Sequence, residues 1–113
     1  MRDNLSAEIF IARLKPLLDS KRIVVQPRNK RKTWEFMLEH RLSADDVIEF
    51  LYTLTSDDYY EGPSSDDNGS PGSVMVFLSE YETIRIYIKI KIWKDETGDE
   101  GVVMSFHKEG DYD

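Results

Sequence analysis

The stretch Ile84-Arg85-Ile86-Tyr87-Ile88-Lys89-Ile90-Lys91-Ile92-Trp93 decides the fold, because every even-numbered position in it is isoleucine. Successive side chains of a β-strand point to opposite faces, so a strand here directs all five isoleucines to one side. Burying one such side chain is worth about 1.5–3 kcal/mol, which fixes the register of the strand. The pattern therefore predicts a sheet with one apolar face turned toward a core.

The alternate positions of this stretch form a row of cations and aromatic rings on the opposite face: Arg85, Tyr87, Lys89, Lys91 and Trp93. One interpretation is a solvated sheet face, on which long cationic side chains keep the protein in solution. The other is an RNA-binding surface, in which the cations contact phosphates and the two rings stack on unpaired bases. The alternation is specific for a strand, and it leaves both interpretations of this face open.

Two further runs have the period of a strand, Val74–Leu78 before this stretch and Val102–Phe106 after it. The links between the three strands are short, which predicts an antiparallel meander. In front of them, the segment Gly62–Ser73 is rich in glycine, proline, serine and aspartate and predicts a long loop. Arg22–Gln26 predicts a separate short strand that ends at Pro27.

The N-terminal part of the chain has the period of helices instead. A first helix begins at Asn4 or Ser6, and Pro16 inside it predicts a kink or a break into two short helices. Its expected buried stripe is Ala7, Phe10, Ile11, Leu14, Leu17 and Leu18.

Two more helices are predicted before the sheet. The second covers roughly residues 33–40, with Trp34, Met37 and Leu38 on one side. The third begins at Ser43, with Asp46 at the capping-box position, and buries Val47, Ile48, Leu51 and Leu54. The fold class is therefore α+β, with about three N-terminal helices packed on a C-terminal antiparallel meander.

The composition of the 113-residue chain is that of one ordinary globular domain, 40% hydrophobic and 33% charged. We expect residues 1–113 to form that domain, with residues 109–113 as a loose tail. The chain has no cysteine and two histidines, which excludes thiolate metal sites and predicts that neither a metal nor a cofactor is bound. No apolar run could span a bilayer and no signal peptide is evident, so we expect a cytoplasmic protein that binds no membrane.

The formal charge of −7 is unevenly distributed along the chain. Residues 1–42 contain ten Lys and Arg against five Asp and Glu, a net charge of +5. Residues 43–113 contain five against seventeen, a net charge of −12. A basic half of this kind is compatible with a nucleic-acid partner in spite of the acidic total.

Several side chains outside the strand pattern are candidates for chemistry. His107 follows the last predicted strand; such a histidine is commonly structural, yet imidazole is the best general acid or base that this chain offers. His40 is most simply a favourable charge near a helix C-terminus. Asp57–Glu61 is interpreted as a group of solvated side chains, with a metal or partner site as the alternative. Arg28–Lys32 is either an exposed helix lead-in or a phosphate-binding segment.

Three short segments, taken in order, resemble the MqsR-type mRNA-interferase toxins of the RelE-like ribonuclease superfamily: Leu54–Tyr60, Ile86–Ile90 and Val103–His107. In that family the corresponding stretches end a helix with an aspartate–aromatic–tyrosine run, contain a Tyr-x-Lys strand and finish with Ser-Phe and a basic residue. The resemblance extends from the first helix to His107, most of the chain. It implies a small α+β toxin that cuts messenger RNA without a metal and is held inactive by a cognate antitoxin.

The resemblance also implies roles for individual residues. Tyr87 matches the active-site tyrosine of the family, and His107 stands where the family has a catalytic lysine. The predicted catalytic set is His107, Tyr87, Lys89 and Arg85, and the predicted RNA-binding set is Arg28, Lys30, Arg31, Lys32, Lys91, Trp93 and Tyr60. The chain differs from the family at Glu61, which replaces a lysine, and at Met75 or Val76, where the family has a glutamine.

A second hypothesis is a non-catalytic interaction protein on the same fold. Its acidic half would bind a basic protein partner or mimic the charge of nucleic acid. The side chains concerned would be Asp57, Asp58, Asp66, Asp67 and those of the Asp95–Glu100 turn. The excess of acid in residues 43–113 and the charge reversal at Glu61 favour this hypothesis.

Overall fold

A computed structural model of the chain describes residues 4–27 and 31–110. The helices in these ranges are α1 over Leu5–Ser20, α2 over Arg31–Glu39 and α3 over Ala44–Phe50, followed by short 3₁₀ turns at Leu51–Thr53 and Ser56–Asp58. The strands are β1 over Ile23–Val25, β2 over Tyr59–Ser64, β3 over Ser73–Tyr81, β4 over Ile84–Asp95 and β5 over Gly98–Lys108. The predicted α+β class, with helices mostly N-terminal and strands mostly C-terminal, is confirmed.

The described strands form one sheet in the order β1-β5-β4-β3-β2. The antiparallel pairing of β3 with β4 and of β4 with β5 matches the predicted meander. The sheet is wider than that meander and mixed, because β2 adds antiparallel to β3 and β1 adds parallel to β5. Residues 62–64, expected in the loop, belong to β2.

The isoleucine face of β4 lies against the core, as the alternation predicts. Ile86, Ile88, Ile90 and Ile92 have no exposed surface, and Ile84 is partly buried. The helices pack on this side of the sheet, and α1 contributes most of its expected stripe: Ala7, Phe10, Leu14, Leu17 and Leu18 are buried, and Ile11 is partly buried. The period of these two segments, α1 and β4, therefore identifies which side of each meets the core.

Helix α1 continues without interruption through Pro16, so the expected division into two helices is wrong. A proline inside a helix costs about 3 kcal/mol or more, because a hydrogen bond is lost and the ring crowds the preceding turn. Leu14 and Leu17, on either side of the proline, are both buried, and each contributes about 1.5–3 kcal/mol. Their burial on one sheet holds both halves of the segment in a single helix.

Helix α2 buries one of the three residues that were expected to share a side. Thr33, Phe36 and Met37 are its buried residues, and the hydroxyl of Thr33 accepts a hydrogen bond of 3.1 Å from the backbone N–H of Phe106. Trp34 and Leu38, which were expected on the same side as Met37, are 42% and 79% exposed. Trp34 and Leu38 each follow one of the buried residues Thr33 and Met37 by one position. Both pairs are four residues apart, so the helical period in the sequence did not distinguish the buried side from the exposed one.

Helix α3 begins as predicted. The Ser43 hydroxyl accepts a hydrogen bond of 3.1 Å from the Asp46 N–H, and the Asp46 carboxylate accepts one of 2.9 Å from the Ser43 N–H. These two bonds form the capping box and lower the pKa of Asp46. Val47, Leu51 and Leu54 are buried, so this helix and the turn after it close one end of the core.

The acidic turn between β4 and β5 is bound to the N-terminal part of the chain. The Arg13 guanidinium donates two hydrogen bonds, of 3.1 and 3.0 Å, to the Asp99 carboxylate. Arg22 pairs with Glu100 and lies 3.8 Å from the Asp95 carboxylate. The basic and acidic parts of the sequence therefore meet within the molecule and partly neutralise each other.

Glu109, the first residue after β5, is bonded to β4. Its N–H donates a hydrogen bond of 2.9 Å to the Arg85 carbonyl, and the two side chains form an ion pair of 3.2 Å. Residues 111–113 of the expected loose tail lie outside the described residues.

We predict that Asp99 makes the fold sensitive to acid. The hydrogen bonds from Arg13 lower the pKa of Asp99 in the folded state. Its stabilising contribution is therefore present above the unfolded carboxyl pKa, about 3.9, and is lost as the pH falls through the lower folded value. Urea unfolding below pH 4 should show a shallower decline of stability with pH for Asp99→Asn than for wild type. Arg13→Gln should have the same effect, and a wild-type slope in both variants would contradict the assignment.

Candidate functional site

The side of the sheet opposite the isoleucines, called the outer face below, displays the alternate positions of β4. Residues that pair directly across two strands share a face, so the register defines what surrounds them. Tyr87 pairs with His107 of β5 and with Leu78 of β3. Lys89 pairs with Ser105 and Val76, and Lys91 pairs with Val102 and Val74. Polar side chains of β4 and β5 therefore lie beside an apolar strip from β3.

A β-bulge in β5 determines the position of His107. Ile90 pairs with Val103 and Lys89 pairs with Ser105, so Met104 is an extra residue without a partner on β4. Strict alternation from the buried Val103 would turn His107 toward the core. The extra residue shifts the alternation of faces by one position, so His107 lies on the outer face instead.

The rings of Tyr87 and His107 are stacked. Their centroids are 5.3 Å apart and their planes differ by 14°, an offset parallel arrangement that stabilises both rings. His107 is 4% exposed, and its Nδ1 lies 2.9 Å from the carbonyl oxygen of Lys108. Because a carbonyl oxygen only accepts hydrogen bonds, Nδ1 carries the proton in this contact and Nε2 is the basic nitrogen of the neutral ring. The backbone thereby fixes one tautomer of the imidazole.

Two cations lie beside this pair along β4. Arg85 and Lys89 are each two positions from Tyr87, which places them about 7 Å from it on the same face. The Arg85 side chain is 64% exposed and pairs with Glu109 at 3.2 Å. Lys89 is half-buried. The structure thus brings the four predicted catalytic residues into one patch, called the outer-face cluster: Arg85, Tyr87, Lys89 and His107.

Glu61 also belongs to this face, which the sequence analysis did not recognise. It pairs with Val76 of β3, and Val76 pairs with Lys89 of β4, so Glu61 lies two strands from Lys89, about 10 Å away. Its position depends on a register shift in β2 between Tyr59 and Glu61. This shift cannot be predicted from the sequence, because the order Tyr59-Tyr60-Glu61 is the same whether or not the strand contains a shift.

The β2–β3 loop, residues 65–72, lies across the other end of the outer face. Asp66 in this loop is buried, and its carboxylate accepts a hydrogen bond of 2.6 Å from the Lys91 ammonium. The loop returns to the sheet at Gly72, where a Cβ atom would lie 2.9 Å from the Ile92 carbonyl oxygen at a backbone φ of +128°. Lys91, expected to face RNA, is therefore buried beneath the protein's own loop and neutralised by it.

The remaining predicted RNA-binding residues are dispersed. Trp93 is half-buried and forms part of a cavity on the outer face, with the Lys91 ammonium 5.8 Å from its ring centre. Tyr60, on β2, is 52% exposed. Arg31 and Lys32 lie on α2, where both pair with Glu35. Arg28 and Lys30 lie outside the described residues.

Several carboxylates of the second hypothesis are engaged within the molecule, whereas Asp57 and Asp67 are exposed. Asp66 pairs with Lys91, Asp99 with Arg13, and Glu100 with Arg22. Asp58 accepts a hydrogen bond of 2.9 Å from the Thr55 N–H at the start of a 3₁₀ turn. Across residues 4–27 and 31–110, no group of three or more histidine, aspartate or glutamate side chains is arranged to hold a metal ion. None of the helices described there is long and apolar enough to cross a membrane.

Comparison with known proteins finds no matching family profile, no matching curated protein and no matching solved structure. The site is therefore defined by its own geometry.

We predict that removing one partner of the Asp66–Lys91 ion pair destabilises the fold more than removing both charges together. Asp66→Ala leaves the Lys91 ammonium buried without this partner and should lower the free energy of unfolding by about 3–5 kcal/mol. The double variant Asp66→Leu/Lys91→Met should recover most of that loss, because it removes both charges together. Urea unfolding measures both effects, with Asp67→Ala, at the exposed neighbour, as a control that should stay within about 0.5 kcal/mol of wild type. A double variant as unstable as Asp66→Ala would disprove the expected coupling.

Proposed function

We propose that this protein is an endoribonuclease toxin of the MqsR type, which cuts messenger RNA and is controlled by a cognate antitoxin in the cytoplasm. The observation on which the proposal rests is the stacked pair of Tyr87 and His107, with Lys89 and Arg85 on the same face of the sheet. A proton-exchanging ring, an aromatic hydroxyl and two cations can supply the proton transfer, orientation and charge stabilisation that RNA cleavage by an internal hydroxyl uses. In the sequence, Tyr87 and Lys89 resemble the Tyr-x-Lys strand of the family, and His107 stands where the family has a catalytic lysine.

In the proposed reaction the 2′-hydroxyl of a ribose attacks the adjacent phosphorus. Nε2 of His107 accepts the proton of that hydroxyl, because Nδ1 is already bonded to the Lys108 carbonyl. The bond from O2′ to phosphorus forms and the bond from phosphorus to O5′ breaks, while the leaving O5′ takes a proton from solvent. The products are a 2′,3′-cyclic phosphate and a 5′-hydroxyl end.

The other members of the outer-face cluster supply charge and orientation. Negative charge accumulates on the phosphate oxygens during the attack, and Lys89 and Arg85 stabilise it. Tyr87 orients the phosphate through its hydroxyl or stacks on a neighbouring base. His107 is held by the Tyr87 ring and by the Lys108 carbonyl, and such fixed positioning is itself a contribution to catalysis.

The internal ion pairs favour this proposal over the acidic interaction protein. Asp66, Asp99 and Glu100, three of the side chains that a basic partner would contact, are paired with this chain's own cations. A partner would have to break those pairs and would leave the cations uncompensated. RNA at the outer-face cluster would displace the ion pair of Arg85 with Glu109, which is solvent-exposed and therefore weak.

We predict that the purified protein cleaves single-stranded RNA in the presence of a chelator and that His107 is essential. His107→Gln cannot exchange protons and should reduce the rate by about 10²–10⁴-fold. His40→Gln is the matched control, because His40 packs between α2 and β3 against Phe36 and Tyr81, away from the outer face, and should retain the wild-type rate. Gel analysis with an end-group assay for the cyclic phosphate measures both the rate and the chemistry. Intact RNA with the wild-type protein, or equal rates for both variants, would contradict the catalytic assignment.

We further predict that induced expression of the wild-type chain arrests bacterial growth, because loss of messenger RNA stops protein synthesis. His107→Gln should be tolerated at the same expression level, and the product of a small open reading frame adjacent to the gene should restore growth to wild-type cells. Growth curves and RNA sequencing of cleaved ends measure the outcome. Unimpaired growth with abundant folded wild-type protein argues against a toxin, even if the purified protein binds RNA.

A further inference from the structure

A cavity of about 460 Å³ lies on the outer face, at the opposite end of β4 from Tyr87, and is called the outer-face cavity below. Its volume falls within the range of small-molecule sites in proteins, about 300–1,000 Å³. The segment around β1, the β2–β3 loop, β4 and β5 all contribute to its walls. The residues that line it are Val24, Gln26, Pro27, Ser70, Pro71, Lys91, Trp93, Val102 and Met104.

The charge of the lining indicates a neutral occupant. Lys91 is the one charged residue among those that line the cavity, and its ammonium donates a hydrogen bond of 2.6 Å to the Asp66 carboxylate. Both side chains are buried, so this charge is already neutralised within the fold. An anionic ligand would have to compete with Asp66 for the ammonium and would leave a buried carboxylate without it. A phosphate therefore fits this cavity poorly, and an uncharged group fits it well.

The Trp93 ring provides a flat apolar wall. Trp93 is half-buried, and the Lys91 ammonium lies 5.8 Å from the centre of its ring, a cation–π contact that helps to hold the indole in place. Val24 lines the same cavity and is 53% exposed, although it is the middle residue of a strand. A fixed indole of this kind is a surface on which a planar ring can stack.

Two polar side chains add hydrogen-bonding groups to these apolar walls. Gln26 is exposed, and its amide can both donate and accept. The Ser70 hydroxyl donates to the side-chain oxygen of Asn68, so its own oxygen can still accept. The combination favours a neutral planar ring with donors and acceptors along its edge. Among the parts of a nucleic acid, the base has this chemistry.

The outer-face cavity is continuous with the outer-face cluster along β5. Met104 lines the cavity, and His107 is three residues further along the strand, about 10 Å away. Ser105, between them, pairs with Lys89 and lies on the same face. A single strand of RNA with one phosphate at His107 could therefore place the base of a nearby nucleotide in the cavity.

We propose that the outer-face cavity binds a nucleobase of single-stranded RNA, stacked on Trp93 and hydrogen-bonded at its edge by Gln26 and Ser70. The base belongs to a nucleotide near the scissile phosphate but separate from it. This inference rests on the proposed function and names the part of the substrate that gives sequence preference. Lys89 and Arg85 contact phosphates, which every sequence has, whereas the cavity contacts a base, which differs between sequences.

The test measures binding of the full chain to RNA that cannot be cut. The probes are oligonucleotides of about ten nucleotides, within the site sizes of single-strand-binding surfaces. Their 2′-O-methyl groups remove the attacking hydroxyl. One probe is rich in each of the four bases, and a further probe of the same length and charge has no bases.

Trp93 itself reports whether a base enters the cavity, because the chain contains two tryptophans. In Trp34→Phe, Trp93 is the remaining one, and at least one base-containing oligonucleotide should quench its fluorescence saturably. In Trp93→Phe, Trp34 remains, 42% exposed on α2 on the other side of the sheet, and its fluorescence should not change.

Anisotropy of labelled oligonucleotides measures the contribution of the base. Wild type should bind its preferred oligonucleotide at least about fivefold more tightly than the strand without bases. Trp93→Leu should remove most of this preference, and Trp34→Leu is the matched control that should retain it. Gln26→Ala should reduce the preference as well, and because Gln26 is exposed this variant tests the site even if Trp93→Leu folds poorly.

The proposal is overturned if the strand without bases binds as tightly as every other probe, if Trp93 fluorescence does not respond, or if Trp93→Leu and Trp34→Leu lose the preference equally. The probes separate this inference from the ribonuclease proposal. Quenching of Trp93 in a protein that leaves unmodified RNA intact would contradict cleavage alone. Cleavage of unmodified RNA without any response from Trp93 would contradict the base site alone.

Discussion

The alternation of side chains along β4 is the constraint on which the rest of the structure depends. Four isoleucines without exposed surface hold one face of this strand against the helices. Neither of its neighbouring strands can change register without exposing apolar side chains of its own. Because the buried face is fixed, the opposite face is fixed as well, and the spacing of its cations and rings follows from the backbone.

Local chemistry made much of the fold predictable. The period of two in residues 84–93 specified β4 and both of its faces, and the serine and aspartate at the start of α3 specified its first turn. Features that join distant segments were not predictable in the same way. The parallel pairing of β1 with β5 joins residues almost eighty positions apart, and the partner of Lys91 is Asp66, in a loop whose composition indicated only irregular structure. For α2, two overlapping sets of apolar positions had the same helical period, and only the packed core shows which set is buried.

The candidate site shows the same division. The sequence placed three of the four cluster residues on one side of β4, since that conclusion needs nothing beyond alternation. It could not show that the Tyr87 ring lies against His107, or that Glu61 shares their face, because both depend on registers between strands. It also overestimated the accessible cationic surface. The net charges of the two parts of the chain describe composition, whereas the ion pairs of Arg13, Arg22 and Lys91 show that part of this charge stabilises the fold.

The extra residue at Met104 has a consequence for how such a surface can change over evolution. The residues after the bulge keep the pairing that they would have if Met104 were absent, because the bulge accommodates Met104 without a partner on β4. A one-residue deletion at Met104 would therefore leave Phe106 in the core and His107 on the outer face, with Val103 and Ser105 paired to Ile90 and Lys89 in a regular ladder. Related chains that lack this residue would present the same side chains beside Tyr87. In aligning them, a gap opposite Met104 is compatible with an unchanged outer face.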